Sequence, residues 1–300
     1  MTKPQPQGVL PVFQTPFHDD ESLDFDTLAR EIDWLFDHGA DGIVMAMVSE
    51  VLRLSDAERR ELAARACRCA EGRGTVVISV GAESSLLAEE CARHAESVGA
   101  TAVMAIPPIS VALDDSELRR YYERILSAIS IPVIVQDASG YVGRPMSIEM
   151  QAGLFAEYGG RVMYKPEANP IGPRLTALNE ATGGKAQVFE GTGGIALVES
   201  YARGIAGTMP GADLIRVLAA LWRALNAGDF ETINRLHPPL CSMISLQTSL
   251  DAFLAIEKYL LVKQGIFKNA VTRGPVGYRL DAATRGEVDR LYELLMAGMS

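Results

Sequence analysis

Eight short apolar segments alternate with helical stripes over the first two-thirds of the chain, and this alternation restricts the fold more than any other feature. The strand candidates are 9–17, 42–47, 75–81, 100–108, 131–138, 161–167, 186–191 and 204–210. Each is short and rich in β-branched residues, as strands buried on both faces are. Leu28, Ile32, Leu35 and Phe36 share one helical face, and Gly39 follows as a stop. Ser55-Asp56-Ala57-Glu58 is a capping box opening the next helix. Leu118, Tyr122, Ile125 and Ile129 form a further stripe before the strand candidate at 131. Eight such units predict an α/β fold, a closed (β/α)8 TIM barrel. An open doubly wound sheet would carry a glycine-rich first turn, whereas Thr15-Pro16-Phe17-His18-Asp19 has no glycine. Helical stretches at 213–227, 229–245, 250–265 and 283–298 follow, without strand alternation. The expected organisation is a barrel at 1–211 with a C-terminal helical extension at 212–300 packed on it. In the first of these helices Leu214, Val217, Leu218, Leu221 and Leu225 make a stripe suited to the barrel side or to another subunit.

Charge and composition narrow the partners. A net charge of −10 repels nucleic acid and anionic membrane surfaces, so neither is an expected partner. No apolar stretch approaches the roughly 20 residues that span a bilayer. The polar, proline-containing segment 1–7 reads as neither a signal peptide nor an anchor. Cys67 and Cys69 point to different helix faces, while Cys91 and Cys241 stand alone. His18, His38, His94 and His237 are scattered. The expectation is a cytoplasmic protein with no metal and no cofactor, acting on a small molecule.

In barrels of this kind chemistry sits at the C-terminal ends of the strands. That rule sorts the six lysines. Lys3 is in the N-terminal tail, Lys185 precedes a strand, and Lys258, Lys263 and Lys268 belong to the extension. Only Lys165 can project from the catalytic end of a strand. It closes the run Val162-Met163-Tyr164-Lys165 and is followed by Pro166-Glu167-Ala168-Asn169-Pro170. An amine buried there is disfavoured as ammonium, which suits a Schiff-base nucleophile. The competing reading is a lysine whose stem packs on the rim with its head in water.

Over nearly its whole length the chain resembles the dihydrodipicolinate synthase / N-acetylneuraminate lyase family. The likeness runs through Pro11-Val12-Phe13-Gln14-Thr15-Pro16-Phe17, Gly39-Ala40-Asp41-Gly42 and Leu54-Ser55-Asp56-Ala57-Glu58-Arg59. It continues through Val80-Gly81-Ala82, His94-Ala95-Glu96-Ser97-Val98-Gly99-Ala100, Pro107-Pro108 and Ile131-Pro132-Val133. No one of these is specific; their order and spacing are. The family implies a class I Schiff-base enzyme on a (β/α)8 barrel, its sixth-strand lysine falling on Lys165, and commonly a homo-oligomer, a tetramer or dimer.

The departures carry as much information. The family's Gly-Thr-Thr-Gly-Glu after strand two reads Ala46-Met47-Val48-Ser49-Glu50 here, and Pro-Tyr-Tyr after strand four reads Pro107-Pro108-Ile109. The catalytic tyrosine ending strand five is replaced in Gln136-Asp137-Ala138-Ser139, and the synthases' substrate arginine corresponds to Tyr141. A glutamine amide cannot relay protons near neutral pH, so Gln136 can only orient groups. The pattern is similar to that of the 2-keto-3-deoxy-pentonate dehydratases at Val48-Ser49-Glu50, Met104-Ala105-Ile106-Pro107-Pro108, Val135-Gln136-Asp137-Ala138 and Lys165-Pro166-Glu167-Ala168-Asn169-Pro170. The resemblance implies Lys165, Gln136, Ser49 and Glu167 as the catalytic set. Met47, Val48, Ser49, Glu50, Gly191, Thr208, Met209 and Pro210 would bind substrate, with the Val48 backbone and Ser49 on its carboxylate. Glu50 reads equally as a tie for its own loop, and Asp137 as structural. Alternatives are a pyruvate-dependent aldolase, a dihydrodipicolinate synthase-like enzyme and a non-catalytic sugar-acid-binding barrel. The glycine-rich stretches 190–194 and 207–211 also admit a phosphate-binding barrel, although only Arg203 lies near them.

Overall fold

The computed structural model describes residues 5–139 and 144–299. Eight parallel strands occur where the apolar runs lie: β1 (Gly8–Val9), β2 (Gly42–Val44), β3 (Thr75–Ser79), β4 (Ala102–Ala105), β5 (Val133–Asp137), β6 (Val162–Pro166), β7 (Phe189–Glu190) and β8 (Gly207–Thr208). Hydrogen bonds order them as β2-β3-β4-β5-β6 and β7-β8-β1. The two seams are joined by parallel bridges, Tyr164 with Val188 and Val12 with Val44, and the sheet closes into a barrel. The strands are shorter than their apolar runs because each run continues into the loop that leaves the barrel mouth. Tyr141 lies outside the described residues, as does Lys3.

Strand alternation separates two cores. Leu10, Val44, Val77, Met104, Ile134, Met163 and Phe189 fill the barrel interior. Ile43, Val76, Val103, Val133, Val162 and Tyr164 face outward against the surrounding helices. These are α1 (Phe25–Asp37), α2 (Asp56–Cys69), α3 (Ser85–Ser97), α4 (Asp115–Ala128), α5 (Ile148–Tyr158), α6 (Ile171–Ala181), the short α7 (Leu197–Tyr201) and α8 (Ile215–Ala227). Their starts follow from side-chain caps: Asp24 on the Thr27 amide of α1, Ser55 and Glu58 as a reciprocal box on α2, and Ser84 on α3.

The extension contains α9 (Phe230–Ser245), α10 (Leu250–Lys263) and α11 (Ala282–Gly298). Helix α8 follows β8 and packs on both β1 and α9. Among the described residues no helix is long and apolar enough to cross a membrane.

Helix α10 is fastened to the catalytic end of the barrel by buried polar groups. Lys258 bonds the Glu50 carboxylate, donates to the Val271 carbonyl at 2.7 Å, and lies 4.7 Å from the Phe17 ring centroid. Gln14 donates its amide side chain to Glu257 and its backbone N–H to Glu31 Oε1 at 2.8 Å. Burial pushes the carboxyls of Glu31 and Glu257 well up; at Glu257, neighbouring Asp213 and Glu31 add to the effect. Burial likewise lifts Asp213 to about 7. These groups hold protons that an unfolded chain would already have released, so stability declines as pH rises from the ordinary carboxylate range through about 7. The charge-paired Glu58, held down to about 2 chiefly by Arg273, has its effect at far lower pH. Thermal unfolding is therefore expected to show a lower Tm at pH 8 than at pH 5.5, by a few degrees. Asp213→Asn should flatten that dependence, and an unchanged slope in the variant would contradict the assignment.

Candidate active site

Alternation also places the reactive side chains. Gln136 and Lys165 are direct partners across β5 and β6. Ile134 and Met163 point into the barrel, so the residues two further along, Gln136 and Lys165, point inward at its mouth. Glu167 continues the same face. Lys165 and Glu167 are 4% and 5% exposed, buried in keeping with the sequence expectation for the lysine. Lys165 Nζ stands 3.2 Å from Glu167 Oε1, and Gln136 Nε2 donates to Glu167 Oε2 at 2.7 Å. Burial raises the Glu167 carboxyl above its ordinary value; Lys165 and then Gln136 oppose the rise, and the Glu190 charge adds to it. Glu167 thus stands directly beside an amine, with an amide holding its other oxygen in place.

These three residues line a cleft at the barrel mouth with Val12, Ala46, Met47, Val48, Gly191, Gly193, Met209, Pro210, Gly211, Leu250 and Phe253. Gly191 is required by close approach: a methyl group there would stand 2.6 Å from Lys165 Cε and 2.9 Å from Glu167 Cγ. Met47–Ser49 form a single 3-10 turn. Its first two amides, of Met47 and Val48, have no partner within the turn, whereas the Ser49 and Glu50 amides donate back to Ala46 and Met47 at 2.9 Å each. The start of this turn lies at the cleft edge, a place suited to a carboxylate. Ile109 packs with Met47, Ile106 and Ala138 beside it, making that rim apolar.

The cleft brings together Lys165, Gln136, Glu167, Met47, Val48, Gly191, Met209 and Pro210. Ser49, Glu50 and Thr208 stand behind it. The Ser49 hydroxyl donates to the Phe13 carbonyl at 2.6 Å and accepts from the Ala46 amide at 3.1 Å. Glu50, with a left-handed φ of 56°, ties the turn to Lys258. Thr208 donates to Glu190 at 2.6 Å. Asp137 accepts from the amides of Ser139 and Met146 at 3.3 and 3.0 Å and pairs with Arg174 at 3.4 Å, fastening the β5 loop. Arg203 bonds Thr176 and the Glu199 carbonyl, away from the glycine-rich loops. Sequence reasoning missed Leu250 and Phe253, which α10 brings over the cleft. An apolar residue at a helix start is no signal of such a role. Among the described residues no group of three or more His, Cys, Asp or Glu is arranged to hold a metal.

Comparison with known proteins places the chain in a family. The "L-2-keto-3-deoxyarabonate dehydratase" of Azospirillum brasilense is 29% identical over 73% of this chain and 74% of its own. The Escherichia coli K12 protein named "Probable 2-dehydro-3-deoxy-D-pentonate aldolase YjhH" is 25% identical over 97% of this chain and 96% of its own. The crystal structure of dihydrodipicolinate synthase from Rhodopseudomonas palustris superposes with a TM-score of 0.87 at 26% identity, covering 97% of this chain and 98% of the other. The profile of the dihydrodipicolinate synthetase family matches residues 5–293. A (β/α)8 barrel with a lysine at the end of its sixth strand, matched along nearly its full length, belongs to the dihydrodipicolinate synthetase family of lyases.

Proposed function

We propose that the chain is a class I Schiff-base lyase that removes water from a 2-keto-3-deoxy sugar acid. The observation that carries the proposal is the buried Lys165–Glu167–Gln136 group with its 3.2 Å amine–carboxyl contact. The Lys165 amine attacks the C2 ketone and expels its oxygen as water, leaving an iminium that acidifies C3. The Glu167 carboxylate takes a C3 proton, and the electron pair forms the enamine. Collapse of the enamine expels the C4 hydroxyl, which leaves as water with the proton Glu167 has just received. With a pentonate, the C3=C4 unsaturated iminium so formed gives up a C5 proton and takes one at C3. The resulting C5 enol shifts its proton to C4 to become the aldehyde, and hydrolysis of the imine frees the semialdehyde and the amine. One carboxyl serves as base and then acid, a task suited to a group whose pKa burial raises above the ordinary carboxylate value. The amides of Met47 and Val48 are the groups we assign to the C1 carboxylate, and the Gln136 amide aligns Glu167.

Elimination is favoured over carbon–carbon cleavage because the inward position at the mouth of strand five is Gln136. An aldol split must take a proton from the C4 hydroxyl, and an amide cannot accept it. The rival is the aldolase, the activity named for the Escherichia coli relative. Incubation with 2-keto-3-deoxy-pentonates and hexonates separates the two. A semialdehyde product supports the dehydratase, and pyruvate as the main product sinks it.

A further inference from the structure

Glu190 is a buried carboxylate beside the cleft that the mechanism above does not use. Phe189 fills the barrel interior and Gly191 lines the cleft, so alternation turns the side chain between them outward. There it ties three elements together. One oxygen accepts from the backbone amide and hydroxyl of Thr192. The other accepts from Thr208 on β8 at 2.6 Å. Thr192 in turn accepts from the Ala196 amide at 2.9 Å, ahead of α7. Glu190 thereby fixes the turn containing Gly191, the backbone wall against which Lys165 and Glu167 pack.

We propose that Glu190 is a positioning residue for the Schiff-base site: through Thr192 and Thr208 it sets the Gly191 peptide against Lys165 and Glu167. The proposal rests on the Schiff-base reading for its kinetic consequence but not for its electrostatic one. The ionisable groups near Glu190 are Glu167, just past β6, and the Cys241 thiol on α9. His237, also on α9, bonds the Gly194 and Ile195 carbonyls in the following loop at 3.1 Å each. Glu167 itself faces Lys165 and Gln136 as well as Glu190. The Glu190 charge raises the Glu167 carboxyl, in addition to the larger effect of burial. Removing that charge while keeping the shape should lower the Glu167 midpoint.

The test compares Glu190→Gln with Thr208→Val in the full chain. Glu167 is followed by carbon NMR of carboxyl-labelled glutamate, its signal assigned by loss in Glu167→Gln. Lys165 is followed by the rate at which borohydride traps pyruvate on it. Glu190→Gln should move the Glu167 midpoint down. It should also slow trapping about tenfold through the displaced turn. Thr208→Val keeps the charge and loses one hydrogen bond, so trapping should slow several-fold with the midpoint unmoved. An unmoved midpoint in Glu190→Gln overturns the proposal. If Glu190→Gln does not fold, an unslowed Thr208→Val overturns it instead. Absence of any pyruvate adduct in the parent protein would refute the Schiff-base reading alone, because the NMR shift decides the Glu190 proposal without it.

Discussion

Lys165→Ala is expected to abolish borohydride trapping of pyruvate and to lower turnover of any 2-keto acid substrate by about 10⁴-fold or more. Losses of that size follow removal of a covalent nucleophile, because the remaining groups supply only binding and electrostatics. The same variant should fold. Truncation removes the cation that opposes burial of the Glu167 carboxyl, and a neutral carboxylic acid bonded to Gln136 is tolerated there. Thermal unfolding should therefore shift little while chemistry is lost, which separates this effect from general damage. Peptide mapping of the trapped parent protein should place the reduced pyruvate adduct on the peptide containing Lys165. An adduct on Lys258, the other deeply buried lysine, would overturn the assignment of the nucleophile. The geometry opposes that outcome: the Lys258 amine is spent on Glu50 and the Val271 carbonyl, behind the cleft.

The elimination among lysines that singled out Lys165 rested on strand count, and that part of the molecule was legible for a physical reason. Strands buried on both faces must be short and apolar, so each left a local signature, and period two then fixes which side chains face inward. Lys165, Gln136 and Glu167 converge because they continue the inward rows of Met163 and Ile134. Residues outside the strands carry no such periodic constraint. Ser49 has the hydroxyl expected of a carboxylate ligand, but whether it faces the cleft depends on a 3-10 turn whose hydrogen bonds turn it back on Phe13. Glu190 looked like part of a glycine-rich loop because its partners, Thr192 in the following turn and Thr208 on β8, belong to different elements. Leu250 and Phe253 reach the cleft only because α10 docks across the barrel mouth, a contact far too distant in sequence for a local pattern to show.

That docking leads to the largest stability effect. Lys258→Met is expected to cost about 3–5 kcal/mol, the range for removing one partner of a buried ion pair. The methionine fills the space of the lysine stem, so the loss is one of charge pairing and hydrogen bonding, with little cavity contribution. It leaves the buried Glu50 carboxylate with only Arg53, 3.7 Å away, and it frees the Val271 carbonyl. Glu50 also sits in the left-handed region at φ 56°, a conformation that costs a non-glycine residue on the order of 1 kcal/mol and persists where its surroundings enforce it. Without Lys258 the turn at Met47–Ser49 loses that enforcement, so weaker 2-keto acid binding should accompany the drop in stability. Pairing the change with Glu50→Gln removes the stranded charge, and the double variant should recover much of the lost stability. Denaturant unfolding of the two single variants and the double variant measures the coupling. A single-variant loss below about 1 kcal/mol, or a double variant no more stable than Lys258→Met, would show that the Lys258–Glu50 pair does not hold the extension to the barrel.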